Sequence, residues 1–164
     1  PSGILAFGFI GAVATATADT LATEIGLLNR GQPRLITDLR REVSPGTSGG
    51  VSPMGELATF LGAVIIGLSA WILGLDHLRI YGLSAAMLVS VVAGSVGCTI
   101  DSIIGATIQG MFKCRVCGST TENKKHCGSP TSHLRGFNPI DNNTVNFIAT
   151  AAGALIGVAI FELL

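Results

Sequence analysis

The sequence predicts an all-α polytopic membrane protein: a transmembrane helix bundle with about four membrane segments in one membrane domain covering residues 1–164. Mean hydropathy is +0.60 and only 12% of residues are charged, a balance that a water-soluble domain of this size does not keep in solution. Apolar runs at about 3–27, 54–75, 80–112 and 143–163 each reach the ~20 helical residues that cross roughly 30 Å of hydrocarbon. The 22 glycines, with pairs such as Gly153 and Gly157, suit helices that meet by close backbone approach, because lipid supplies no hydrophobic force between them. The runs are continuous rather than alternating, which excludes β-barrel spans.

The first run begins at Gly3 without a basic leader and carries Asp19 and Glu24 towards its end, so it does not read as a signal peptide. Because the first residue is Pro1 rather than Met, the expectation is a fragment or processed product with earlier spans missing. The second run follows a Pro/Gly/Ser/Thr loop. The third is too long for one simple span; it is expected to cross by about Cys98 and continue as a helix end or re-entrant piece carrying Thr99 to Met111. The fourth follows an Asn-rich segment.

Basic residues orient these spans. The loop after the first holds Arg30, Arg34, Arg40 and Arg41, the loop after the third holds Lys113, Arg115, Lys124, Lys125 and Arg135, and the intervening loop has Arg79. Crossing parity puts both basic loops on one side, which the positive-inside rule makes cytoplasmic. Net charge is zero, so bulk electrostatics give no case for a nucleic-acid partner.

Five constellations can carry chemistry. In ATATADTLATEIG, Asp19 and Glu24 lie in an apolar helix, where carboxylates are expensive and read as functional, or else reach the interface and are solvated. They are about 140° apart at 100° per residue, so they need not face one ligand together. In EVSPGTSGGVSPMGELA, the glycines Gly46, Gly49 and Gly50 with the hydroxyls of Ser44, Thr47, Ser48 and Ser52 can cradle phosphate oxygens, with Arg34, Arg40 and Arg41 upstream as charge clamps. A flexible turn capped by Ser52, with Pro53 at the first helical position, explains the same letters. In GCTIDSIIGATIQG, Asp101, Gly105 and Gln109 form an i, i+4, i+8 stripe beside Ser102, suited to a metal or polar ligand or to a buried helix contact.

In KCRVCGSTTENKKHCGSPTSH, within a Cys/His-containing loop at 113–137, Cys114 and Cys117 with Cys127 and either His126 or His133 can hold a tetrahedral structural zinc. The competing reading is free thiols in a mobile loop, since only one C-x-x-C is present. Cytoplasmic thiols are rarely disulfides. In GFNPIDNNTVNF, Asn142 and Asn146 share a helical face; the segment is either a polar contact or an N-cap cluster.

Taken together, ADTLATEIG, PGTSGGVSPMGELA, CTIDSIIGATIQG and DNNTVNF resemble the membrane family that contains plant phytyl phosphate kinase and animal transmembrane protein 19. The resemblance implies an enzyme that phosphorylates an isoprenyl monophosphate to the diphosphate. Carried over, it makes Asp19, Glu24 and Asp101 catalytic and magnesium-binding, Pro45, Gly46, Thr47, Ser48, Gly49 and Gly50 the phosphate loop with Arg34 and Ser52, and Asn142 and Asn146 polar contacts. The cysteine-rich loop is not part of that pattern. The implied partners are membrane lipid, the isoprenyl phosphate, a nucleoside triphosphate such as CTP, and a second copy in a homo-oligomer. The alternatives are nucleotidyl transfer at the same anchors, an ion- or proton-coupled transporter using Asp19, Glu24 and Asp101, or a non-catalytic membrane scaffold.

Overall fold

The computed structural model describes residues 2–73 and 78–164; Pro1 and the last two residues of the second expected span, 74 and 75, lie outside the described residues. Four long helices dominate it: α1 (Ser2–Gly26), α2 (Pro53–Ile72), α3 (Leu78–Thr107) and α4 (Asn142–Leu163). All four are long and apolar enough to span a membrane, with hydropathies of 1.6 to 1.9. Arg79, expected in a loop, falls within α3.

The helix ends follow local chemistry. Ser52 caps α2, its hydroxyl accepting from the Gly55 N–H at 3.1 Å, and Pro53 takes the first helical position, where its missing N–H removes nothing. Asp141 caps α4 by accepting from the Thr144 N–H at 2.9 Å. Near its start α3 is interrupted at Gly82, where φ is 78°. It then runs unbroken to Thr107 and leaves as a strand, so Thr99 to Thr107 are a helix end, and Met111 lies in a sheet rather than in a re-entrant piece.

Helix α1 packs against each of the other three, and α3 packs against α2 and α4. At one end Phe7, Tyr81 and Phe161 meet edge to face, with centroids 5.2 to 5.8 Å apart, over a core that includes Ile10, Ala86 and Val89. Towards the other end the interfaces are made of small residues. A Cβ on Gly153 would stand 2.7 Å from the Gly11 carbonyl oxygen and closer still to the Thr15 hydroxyl, so only glycine lets α1 and α4 meet here. Large apolar side chains such as Leu5, Phe147 and Leu155 point outwards, the arrangement a lipid-facing surface requires.

The connections contain strands that the sequence reading left as loops. Between α1 and α2, β1 (Arg34–Leu35), β2 (Asp38–Glu42) and β3 (Gly50–Val51) form an antiparallel sheet in the order β2-β1-β3. Between α3 and α4, β4 (Met111–Lys113), β5 (Thr120–Thr121) and β8 (Ser132–Arg135) form a second, while β6 (Lys125–His126) and β7 (Ser129–Pro130) form a hairpin. These two connections touch, since Arg135 reaches the Ser48 carbonyl, so both basic loops occupy one end of the bundle, as crossing parity requires.

Replacing Gly153 with Val should destabilise the bundle by about 1–3 kcal/mol, because the added atoms meet backbone and the Thr15 side chain rather than a yielding side-chain tip. Thermal unfolding in detergent should show a lowered midpoint, whereas Leu155→Val on the outward face should leave it nearly unchanged.

Candidate functional site

At the loop-bearing end of the bundle the four helices surround a cavity of about 420 Å³. Each helix delivers a polar residue where its span meets the loops: Asp19 and Glu24 from α1, Glu56 from α2, Asp101 and Ser102 from α3, and Asn142 and Asn146 from α4. Pro45, Gly46, Thr47, Ser48, Gly49, Gly50 and Ser52 form the facing wall, and Glu122 reaches in from the cysteine-rich connection. A smaller cavity of about 70 Å³ adjoins it between α1, α3 and α4; Asp19, Thr20, Asp101 and Asn146 line both.

Two of the acids, Asp19 and Asp101, are each held by a neighbour. Cys98 donates to Asp19 Oδ1 at 3.9 Å and is itself 3.5 Å from the Thr59 hydroxyl. With its amide nitrogen facing the acceptors, Asn146 donates to Asp101 Oδ2 at 3.0 Å and to the Asn142 carbonyl at 3.2 Å. Glu122 lies outside the spans, and burial pushes its pKa up. Glu24 lines the same cavity as Asp19 in spite of their angular separation, and is the more exposed of the two.

The glycine loop is ordered by its own turns. Thr47 N–H and Oγ1 donate to the Ser44 carbonyl, Gly50 N–H donates to the Thr47 carbonyl, and Gly46 and Gly49 both have φ of 79°, a region that favours glycine. Gly49 also lies against the end of α3, where a Cβ would come within 2.5 Å of Ala106 Cβ. Ser52 thus caps α2 and lines the cavity at the same time. At the last span Asp141 makes the cap and Asn142 and Asn146 face the cavity.

Four expected residues lie elsewhere. Arg34 does not line the cavity: it pairs with Glu42 at 3.5 Å and donates to the Leu39 carbonyl, because β1 and β2 turn it towards the exposed sheet. Arg40 and Arg41 are exposed on β2, and among the described residues no Lys, Arg or His lines the cavity. Gln109 falls beyond the end of α3, so the helical stripe stops at Gly105; its buried side chain folds back to accept from the Ser48 hydroxyl.

The sequence reading missed Glu56, Glu122 and Cys98 as parts of the site. Glu56 was legible as an acid in the first turn after the Ser52–Pro53 cap. Nothing local marks Glu122. Arg135, counted before only as loop charge, donates to the Ala106 carbonyl at 2.6 Å and to the Gly105 and Ser48 carbonyls at 3.4 to 3.5 Å. It thus closes the end of α3 and ties the two connections together.

Beside the cavity, Cys114, Cys117, His126 and Cys127 bring one donor atom each to within 4.8 Å of one another. His133 is not among them: β8 pairs it with Phe112 of β4, its ring packs edge-on to that phenyl, and its Nε2 lies 2.9 Å from the Gly136 carbonyl. The Cys117 and Val116 N–H groups hold the Cys114 thiol below its usual pKa and Ser119 does the same for Cys117, while the neighbouring Cys117 sulfur pushes Cys127 up to about 11.

A family model described as "Integral membrane protein DUF92" matches residues 1–154. Protein PGR of Arabidopsis thaliana is 36% identical over 153 residues, covering 87% of this chain and 50% of that protein. An uncharacterized membrane protein of Methanocaldococcus jannaschii is 32% identical over 154 residues, covering 94% and 50%. The chain spans about half the length of these curated relatives. No solved structure matches it.

Removing Arg135 should loosen the wall between the connections. Arg135→Ala is expected to lower stability by about 1–3 kcal/mol, since charge-assisted hydrogen bonds to several carbonyls are lost together. Arg135→Lys should recover only part of it, because an ammonium cannot fork between Ala106 and Ser48. Thermal unfolding of the three proteins in detergent measures the order.

Proposed function

The chain belongs to the DUF92 family of integral membrane proteins, and on that premise we propose that it is a membrane phosphotransferase. It phosphorylates an isoprenyl, phytyl-like monophosphate to the diphosphate with a nucleoside triphosphate and magnesium, on the side of its basic loops, which faces the cytoplasm.

The observation that carries this reading is the lining of the 420 Å³ cavity: carboxylates from three helices and the cysteine-rich connection, opposite a Gly/Ser/Thr wall, with no basic side chain among the described residues. A site that gathers Asp19, Glu24, Glu56, Asp101 and Glu122 repels phosphate unless a cation intervenes, and hard carboxylate oxygens are what magnesium takes. The residues therefore fit the ion, and Asp19 and Asp101, shared by both cavities and each held by a neighbour, are the strongest candidates to hold it. Bound there, magnesium supplies charge neutralisation for the donor and acceptor phosphates.

The chain's own groups supply the rest. The start of α2, where Ser52, Gly55 and Glu56 line the cavity, presents the positive end of a helix dipole, and the Gly46–Gly50 turn lines the same wall. Asn146 fixes Asp101, so that this carboxylate keeps one orientation as charge moves. In the transfer, an oxygen of the lipid monophosphate forms a bond to the terminal phosphorus of the nucleotide, and the bond to the bridging oxygen breaks, releasing nucleoside diphosphate. A site at the end of a lipid-facing bundle suits such an acceptor, whose tail belongs in hydrocarbon and whose phosphate belongs at the aqueous edge.

The acid-only lining also supports a second reading, a cation- or proton-coupled transporter. Purified protein supplied with phytyl or geranylgeranyl monophosphate, labelled CTP or ATP, and magnesium distinguishes the two. The expected result is magnesium-dependent diphosphate, with Asp19→Asn and Asp101→Asn each lowering kcat on the order of 100-fold or more and Arg34→Gln close to wild type. Absence of diphosphate with every donor overturns the phosphotransferase. An ion flux abolished by the same two substitutions would put the transporter in its place.

A further inference from the structure

We propose that Cys114, Cys117, His126 and Cys127 hold one structural zinc ion, which fixes the ribbon that delivers Glu122 to the acidic cavity. The donor geometry is the first support. Tetrahedral zinc, with bonds of about 2.3 Å to sulfur and 2.0–2.1 Å to nitrogen, sets its ligands roughly 3.5–3.8 Å apart. His126 Nδ1 lies 3.5 Å from Cys117 Sγ and 3.3 Å from Cys127 Sγ, and all four donor atoms fall within 4.8 Å. Four protein ligands close the coordination sphere, which makes the site structural rather than catalytic.

The backbone on both sides is shaped for this purpose. After Cys114 the chain turns so that the Val116 and Cys117 N–H groups point at its sulfur, at 3.3 and 3.5 Å, an arrangement that stabilises a thiolate ligand. The other ligand pair sits on a two-residue hairpin turn: His126 pairs with Ser129, and Cys127 and Gly128 between them have φ of 51° and 72°. Turns with both central residues at positive φ favour Asn-Gly or Asp-Gly. Cys127 is the only non-glycine residue at positive φ among the described residues, and its role as a ligand explains why a cysteine stands there.

Apart from strand pairing and a few hydrogen bonds such as that from the Thr131 hydroxyl to the Asn123 carbonyl, this ribbon has no packing to hold it together. From Arg115 to Pro130 no residue is buried, and its strands β5, β6 and β7 are two residues long. So small a unit without a hydrophobic core requires a staple. Between the two ligand pairs lies Glu122, the one residue of this ribbon that lines the cavity. The ion therefore acts at a distance, by fixing where a carboxylate stands.

Metal analysis of protein purified in detergent should find about one zinc per chain, falling at least tenfold in Cys117→Ala and in Cys127→Ala and unchanged in His133→Ala. Zinc that is absent from the wild type and not taken up after thiol reduction, or that is retained in both cysteine variants, overturns the site. Should the variants fail to fold, the wild type alone decides. Stripping the ion with 1,10-phenanthroline should open Lys124 and Lys125 to trypsin, and added zinc should restore protection; cleavage indifferent to chelator overturns the staple. Both readouts are independent of whether the cavity transfers phosphate.

Discussion

The seating of α1 against α3 and α4 is the contact on which the rest of the molecule depends. Thr15, fully buried in the middle of α1, donates to the Ala93 carbonyl of α3 at 2.8 Å. Gly97 of α3 and Gly153 of α4 approach so closely that a Cβ on either would strike the Thr15 side chain. In lipid a hydroxyl without a partner is costly, and close packing replaces the hydrophobic effect as the force between helices, so one residue satisfies both demands. One turn further along the same face is Asp19. The packing that seats Thr15 therefore also points Asp19 between α3 and α4, where it shares a cavity with Asp101 and Asn146.

The charge arrangement at that end has a clear division of labour. Carboxylates face inwards around the cavity, while Arg34, Arg40 and Arg41 lie on the exposed sheet and Arg135 closes the end of α3. Burial and the nearby Arg41 keep the Arg135 pKa below its ordinary value. The charged side chains that line the cavity are therefore all carboxylates among the described residues. The positive-inside rule counts basic residues by side, so its expectation does not depend on where each side chain points.

The two connections were the least legible parts of the sequence. Their strands are mostly two residues long, too short for any alternation to register, and they exist because each connection is pinned at several points to the helix ends. Arg34 and His133 show how this misleads: both types fit the expected chemistry, yet strand pairing directs Arg34 to Glu42 and His133 to Phe112. Glu122 shows the converse. It lies in an unremarkable polar stretch, and only the folding of the ribbon brings it to the cavity.

The sequence by itself determined the membrane bundle, its four spans, the gathering of both basic loops at one end and the acids at the span ends, because these follow from hydropathy, length and parity, which are properties of segments. It also marked the Gly46–Gly50 turn, the Ser52–Pro53 cap and the cysteine cluster, whose spacings are local. Only the tertiary structure decided which side chains share a cavity: that Glu24 joins Asp19, that Cys98 and Asn146 hold the two central carboxylates, that His126 rather than His133 faces the cysteines, and that among the described residues no arginine enters. Each of these is a meeting of residues far apart in the chain or on different elements, and it is set by how closely helices with small residues approach and how short strands pair.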